Sequence, residues 1–176
     1  MMRFFVLPSP KDKTFAEALQ GKILALDALA QRVSQLKREG KTIVTLNGSF
    51  DLLHAGHLEM IYQASLQGDI LLIALNSDKS IQEYKSPLRP IIPLSYRLQM
   101  VAALEMVSYV TWFEETDPRE WLKKIEPSVH VNGAEYGENC IEAEVVKAGG
   151  GRVHIVSLLP GLSTSFIIKK IMDTCA

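Results

Sequence analysis

Apolar residues recur at helical spacing from Ile23 to about Arg38, through Leu26, Leu29, Ala30, Val33 and Leu36, and Gly40 follows as a stop. This predicts an amphipathic helix. The run "TIVTLN" (42–47) is β-branched and apolar and predicts a strand, and a helix is predicted from about His57 to Gln67. "DILLIALN" (69–76) is continuously apolar, which suits a strand covered on both faces of a parallel sheet. The alternation continues with a helix from about Ser95 to Met106, a strand at 109–113, a helix from about Pro118 to Ile125 and a strand at 128–132. A helix around 142–148, a strand at 152–158 and a helix from about Ser165 to Met172 follow. Strands alternating with helices predict an α/β domain with a mostly parallel sheet and right-handed crossovers. Ligands of such sheets bind at the carboxyl ends of the strands, here the loops after Asn47, Asn76, Phe113, Asn132 and Leu159.

Length and composition narrow the picture. The 176 residues suit one domain, read as residues 23–176, preceded by an N-terminal extension, residues 1–22, whose prolines and "KDK" cluster suggest an irregular lead-in. A content of 47% hydrophobic and 22% charged residues is too apolar for a disordered chain. A formal charge of −1 lacks the basic excess of a nucleic-acid binder, so any phosphate binding should be local. No apolar run approaches a bilayer-spanning length, and "FFVLP" is short for a signal-peptide core, so a cytoplasmic protein with no membrane partner is expected. Cys140 and Cys175 form no metal-site or disulfide pattern.

The informative loop follows the first strand: Asn47-Gly48-Ser49-Phe50-Asp51-Leu52-Leu53-His54-Ala55-Gly56-His57. His54 and His57, three apart at a helix start, lie on one side of the first turn, where free N–H groups and the helix dipole favour an anion. Gly48 permits a tight turn, and Gly56 removes a Cβ where a phosphate would approach the backbone. A lone histidine would read as a core or capping residue, but two in this loop point to hydrogen-bond donation to a phosphate. Metal ligation by the pair lacks a third ligand and the zinc-protease spacing.

"GSFDLLHAGH" resembles the GxFDxxHxGH signature of the cytidylyltransferase-like nucleotidyltransferase superfamily. The resemblance runs through 76–110, 131–136, 148–156 and 161–171, and within the superfamily it is greatest to the adenylyltransferase domains of bacterial ADP-heptose synthases, with glycerol-3-phosphate cytidylyltransferases as the alternative. It implies a Rossmann-like, HUP-type three-layer α/β/α sandwich, Mg²⁺ carried by the nucleotide rather than by protein side chains, no covalent intermediate and a homodimer. The partners it implies are a nucleoside triphosphate, ATP or CTP, and a phosphorylated small-molecule acceptor. His54, His57 and Lys85 would then be catalytic. Nucleotide contacts would come from Asn47, Gly48, Ser49, Phe50, Gly56, Asn132 and Gly133, and from Ser163, Thr164 and Ser165 at the last helix start. Asp51, Asp78, Arg89 and Arg97 would serve the acceptor. From residue type alone, Lys85 and Arg89 read either as phosphate cations or as solvated charges, Arg97 as a surface arginine, Asp78 as a turn residue and the Ser163–Ser165 hydroxyls as a helix cap.

The chain departs from the heptose pattern at Asn132, where a lysine is usual, and at Glu135, which replaces an aspartate. The expected activity is transfer of AMP to a heptose 1-phosphate-like acceptor with release of pyrophosphate. The other readings are a cytidylyltransferase, a nucleotide-binding module with little catalysis, and a hydrolase.

Overall fold

The computed structural model describes residues 14–137, 140–157 and 163–175. The start of the N-terminal extension, residues 1–13, and the beginning of the loop after Leu159 lie outside the described residues. Five parallel strands, β1 (Ile43–Gly48), β2 (Ile70–Asn76), β3 (Tyr109–Phe113), β4 (Val129–Gly133) and β5 (Arg152–Val156), form one sheet in the order β3-β2-β1-β4-β5. Among the described residues eight helices accompany them: α1 (Phe15–Leu19), α2 (Leu26–Arg38), α3 (Ala55–Ser65), α4 (Asp78–Tyr84), α5 (Leu94–Ala102), α6 (Arg119–Ile125), α7 (Ala143–Ala148) and α8 (Thr164–Cys175). This is the expected Rossmann-like α/β arrangement.

Strand alternation builds the layers. Val44 and Leu46 of β1 and Leu71, Ile73 and Leu75 of β2 point to one face, where Ile61 and Ala64 of α3 and Leu98, Val101 and Ala102 of α5 cover them. Ile43, Leu72, Ala74 and Phe113 point to the other, under Leu29, Val33 and Leu36 of α2, Trp121, Leu122 and Ile125 of α6 and Val146 of α7. Each fully buried Leu or Ile stabilises the fold by about 1.5–3 kcal/mol.

Two elements were not expected from the pattern. α1, within the expected extension, is closed by a capping box between Thr14 and Glu17 and buries Leu19 in the core, and the chain from Lys22 to Leu24 then bonds to Val110 of β3. Helix α2 therefore starts at Leu26 and not at Ile23, which forms a bridge to Val110. α4 is capped by Ser77, whose Oγ accepts from the Ser80 N–H at 3.1 Å. Asp78, one reading of which was a turn residue, sits in its first turn.

The chain passes from β1 outward to β2 and β3, then returns across the sheet to β4 and β5 on the other side of β1. The connections diverge between β1 and β4, and a crevice opens at the carboxyl ends of the strands at such a switch point. No helix among the described residues is long and apolar enough to cross a membrane.

Candidate active site

A cavity of about 520 Å³ lies at this crevice. Asn47, Gly48, Ser49 and Phe50 line it from the end of β1, His54, Gly56 and His57 from the start of α3, and Lys85 and Arg89 from the segment after α4. Asn132 and Gly133 reach it from β4, and Ser163, Thr164 and Ser165 from the start of α8. The catalytic and nucleotide-binding sets read from the sequence thus share one cavity. Of the four residues assigned to the acceptor, only Arg89 borders it.

His54 is the N-cap of α3. Its Nδ1 accepts the Gly56 N–H at 3.1 Å, which leaves the ring proton on Nε2 and so fixes that atom as a donor. The His57 ring stacks on it at 3.9 Å between centroids, and the buried Phe50 ring flanks His57 at 5.2 Å. Phe50 has φ +45, a left-handed conformation costly for a non-glycine residue, so the loop is held by its surroundings. Gly48 leaves room for this ring, since a Cβ there would lie 3.2 Å from it. Among the described residues, His57 Nδ1 is buried without a well-formed hydrogen bond, the Leu52 backbone being its nearest partner. Burial, then His54 and Lys85, push the His57 pKa down to about 4, against weaker opposition from the Leu52 backbone and Asp51. Burial also lowers that of His54. Both rings are neutral donors near neutral pH, so phosphate binding does not require an imidazolium.

Asp51, Asp78 and Arg97, expected to serve the acceptor, do not line this cavity and bond within the protein. Arg97 is fully buried. Its guanidinium donates to the Ser49 carbonyl at 2.6 Å, the Asn76 carbonyl at 3.0 Å, the Ile92 carbonyl at 2.9 Å and Asp78 Oδ1 at 2.7 Å. Asp51 accepts from the Ile91 and Ile92 N–H groups at 2.8 and 2.9 Å and pairs with Arg89 at 2.5 Å. Burial would raise the Asp51 pKa, but these two N–H groups and Arg89 hold it below the usual range. The three form a buried brace that ties the β1 loop, the end of β2 and residues 89–92 together. Sequence reasoning missed this because every contact except the Arg97 bond to the Ile92 carbonyl depends on where distant segments meet in space.

Lys85 Nζ donates to Ser49 Oγ at 2.8 Å and, among the described residues, makes no ion pair. Burial of the amine and the nearby Arg89 and Arg97 lower its pKa, with Asp51 opposing. Lys85 is therefore the uncommitted cation of the site, whereas Arg89 is shared with Asp51. At α8, Ser163 is the cap: its Oγ accepts the Phe166 N–H at 3.2 Å, while Thr164 and Ser165 also line the cavity.

The β4 side carries groups that sequence reasoning did not single out. Glu142, 5% exposed, lines the cavity and accepts from Asn132 Nδ2 at 3.3 Å. Tyr84 and Tyr136 border the mouth, and Phe113 and Thr116 line the β3 end. Glu142 had no spacing signal, because ten residues separate it from Asn132. Among the described residues, no group of three or more His, Cys, Asp or Glu side chains could hold a metal ion.

The model of the cytidylyltransferase-like family matches residues 45–170. The bifunctional protein HldE of Citrifermentans bemidjiense is 39% identical over 160 residues, 90% of this chain and 33% of that protein, and HldE of Geotalea uraniireducens is 42% identical over 151 residues, 85% and 31%. The chain thus spans about a third of the length of the curated relatives it matches. Among solved structures, a lipopolysaccharide core biosynthesis protein from Thermoplasma volcanium superposes with a TM-score of 0.55 at 25% identity, covering 68% of this chain and 98% of that one. A pantoate-beta-alanine ligase from Francisella tularensis shares the fold, with a TM-score of 0.56 at 13% identity over 87% of this chain and 79% of that one. With the histidine pair, Lys85 and the α8 hydroxyls gathered in one crevice and the family match spanning them all, the chain belongs to the cytidylyltransferase-like family of nucleotidyltransferases.

Proposed function

We propose that the protein transfers AMP from ATP to a sugar 1-phosphate of the heptose 1-phosphate kind, giving an ADP-sugar and pyrophosphate. The observation that carries this reading is the stacked, neutral His54–His57 pair at the start of α3, in the same cavity as Lys85 and the start of α8. Similarity to the HldE proteins supports the sugar phosphate acceptor and the adenine nucleotide.

An acceptor phosphate oxygen attacks the α-phosphorus; the new P–O bond forms as the bond to the β-phosphate bridging oxygen breaks, and pyrophosphate leaves with that electron pair. An ionised acceptor needs no general base. The protein's contribution is position and charge. His54 Nε2–H donates to the oxygens of the reacting phosphorus, His57 does so from the neighbouring ring, and Lys85 meets the charge that develops on them. Thr164, Ser165 and the free N–H groups of α8 hold the outer phosphates. Mg²⁺ carried by the nucleotide would offset the triphosphate charge, with no protein side chain assigned to hold it.

The test is pyrophosphate release from ATP and from CTP with Mg²⁺ across a panel of phosphorylated acceptors. Release from ATP that depends on a sugar 1-phosphate is the expected outcome. Release from CTP with glycerol 3-phosphate would move the reading to a cytidylyltransferase. Release without acceptor would make it a hydrolase, and binding without release a nucleotide-binding module.

A further inference from the structure

We infer that Glu142, positioned by Asn132, is a specificity residue that accepts a hydrogen bond from an uncharged donor of the nucleoside, a base amine or a ribose hydroxyl. The inference rests on the nucleotide-binding reading above. The two side chains are 5% and 6% exposed, both line the cavity, and the Asn132 amide donates to Glu142 Oε2 at 3.3 Å. Among the described residues no Lys, Arg or His pairs with Glu142. The buried Cys140 thiol also hydrogen-bonds Glu142 and Asn132, but it is a weak donor, and a buried acid with no cation is costly to keep unless something stronger donates to it.

Topology says what that donor can be. Asn132 ends β4, one strand over from β1 and its histidine loop, and pairs in register with Ile155 of β5. Lys85 and Arg89 enter from the β2 side, beyond β1, where Lys85 reaches Ser49. The cavity is therefore cationic toward β2 and acidic toward β4, and Glu142 and Glu135 face the same β4 end. A triphosphate is repelled from that end and drawn to the other. What remains for Glu142 is the neutral, donor-bearing part of the nucleotide. The cation missing at position 132 and the acid at 142 make one device: a lysine there would neutralise the acceptor, whereas the asparagine orients it and leaves its acidity in place.

Calorimetric titration of the full chain tests this with wild type, Glu142→Gln and, as a control on an exposed neighbour, Glu144→Gln, after thermal unfolding has shown that all three are folded. Glu142→Gln keeps the shape and should weaken ATP on the order of tenfold to a hundredfold, the size of a lost hydrogen bond to a charged group. Inorganic tripolyphosphate should change by less than about twofold, because it carries no nucleoside donor. The loss should vanish with inosine triphosphate where the partner is the base amine, and with 2′-deoxy- or 3′-deoxy-ATP where it is a ribose hydroxyl; either pattern supports the inference. For a CTP-binding protein, UTP replaces inosine triphosphate. Unchanged ATP affinity in Glu142→Gln, or an equal loss with every analogue or with tripolyphosphate, overturns it and leaves the nucleotidyltransferase reading intact. Failure of the wild type to bind ATP or CTP overturns both.

Discussion

On the β2 side of the cavity the acids face cations: the buried Asp51 is paired with Arg89, and the partly exposed Asp78 with the fully buried Arg97. On the β4 side Glu142 is buried nearly as deeply as Asp51 and faces an amide. The first arrangement uses charge to fix backbone. Arg97 and Asp51 between them bond to the Ser49, Asn76 and Ile92 carbonyls and the Ile91 and Ile92 N–H groups, so three loops that form the site cannot drift apart. The second leaves an acceptor unsatisfied by any cation, which suits a group kept for a ligand. Conserving charge inside the protein and reserving it for a substrate are thus separated by one strand.

The largest expected effect comes from the loop between the two sides. His54→Ala and His57→Ala should each lower kcat about a hundredfold to a thousandfold with a much smaller change in KM, because one preorganised donor to developing charge contributes about 3–4 kcal/mol. Steady-state kinetics checks this, and near-normal turnover in both variants would remove the histidine loop from the chemistry.

Next comes the brace. Arg97→Ala leaves three backbone carbonyls without this donor and the Asp78 carboxyl with the Leu94 N–H but no cation, and removing one partner of a buried pair costs about 3–5 kcal/mol. Asp78 is 40% exposed and can recover some hydration, so about 3 kcal/mol is expected from denaturant unfolding. Lys85→Met, which removes the bond to Ser49 Oγ and a contact of the ammonium with the Tyr84 ring but no ion pair among the described residues, should change stability much less and depress turnover. If Arg97→Ala were as stable as wild type, the brace would have no energetic content, and the two sides of the cavity would not differ in the way described.

The histidine loop was legible in the sequence because its chemistry is local: spacing, a strand before it and a helix after it suffice. The strands were legible because β1 and β2 bury both faces, so that β2 reads as a continuous apolar run and β1 as a β-branched, largely apolar one. α4 was not, since seven mostly polar residues carry no stripe and only the Ser77 cap marks the start. The type and place of Arg97, Asp51 and Asp78 were readable but their job was not, because an arginine on a helix looks alike whether it meets water or three carbonyls. Glu142 was invisible for the same reason.

Two neutral histidines also have burial that opposes protonation. His57 lies in the first turn of α3, between the two sides, and His130, in β4, is fully buried with Nδ1 on Thr45 Oγ1 at 2.9 Å and a pKa pushed down to about 3 by desolvation. Both folded-state values lie below the unfolded value near 6.5, so below that pH the unfolded chain binds more protons and stability rises with pH. The contribution is present above about pH 6.5 and is lost as pH falls toward 4 and 3. Between pH 7 and 5.5 each histidine should lower stability by about 1 kcal/mol, together some 4–8 °C in Tm for a chain of this size. Thermal melts at both values check the direction, and His57→Ala should remove about 1 kcal/mol of the difference.

The smallest effect concerns Asn132. A lysine placed there, as in the heptose pattern, meets the Glu142 carboxyl at the position from which the amide now donates. Its charge is then matched inside the protein, which converts the β4 side to the arrangement of the β2 side. Asn132→Lys should therefore fail to tighten ATP and should weaken it a few-fold by occupying the acceptor, with little dependence on salt. The double variant Asn132→Lys/Glu142→Gln frees the ammonium for the nucleotide. Attraction between partly exposed charges is worth about 0.2–1 kcal/mol, so the double variant should bind ATP up to several-fold more tightly than Glu142→Gln alone. That gain should shrink as salt rises, because such charges are screened over about 8–10 Å. Affinities at two salt concentrations decide the matter: a salt-sensitive gain in the single variant would show that Glu142 does not capture the lysine, and the contrast between the two sides of the cavity would not rest on position 132.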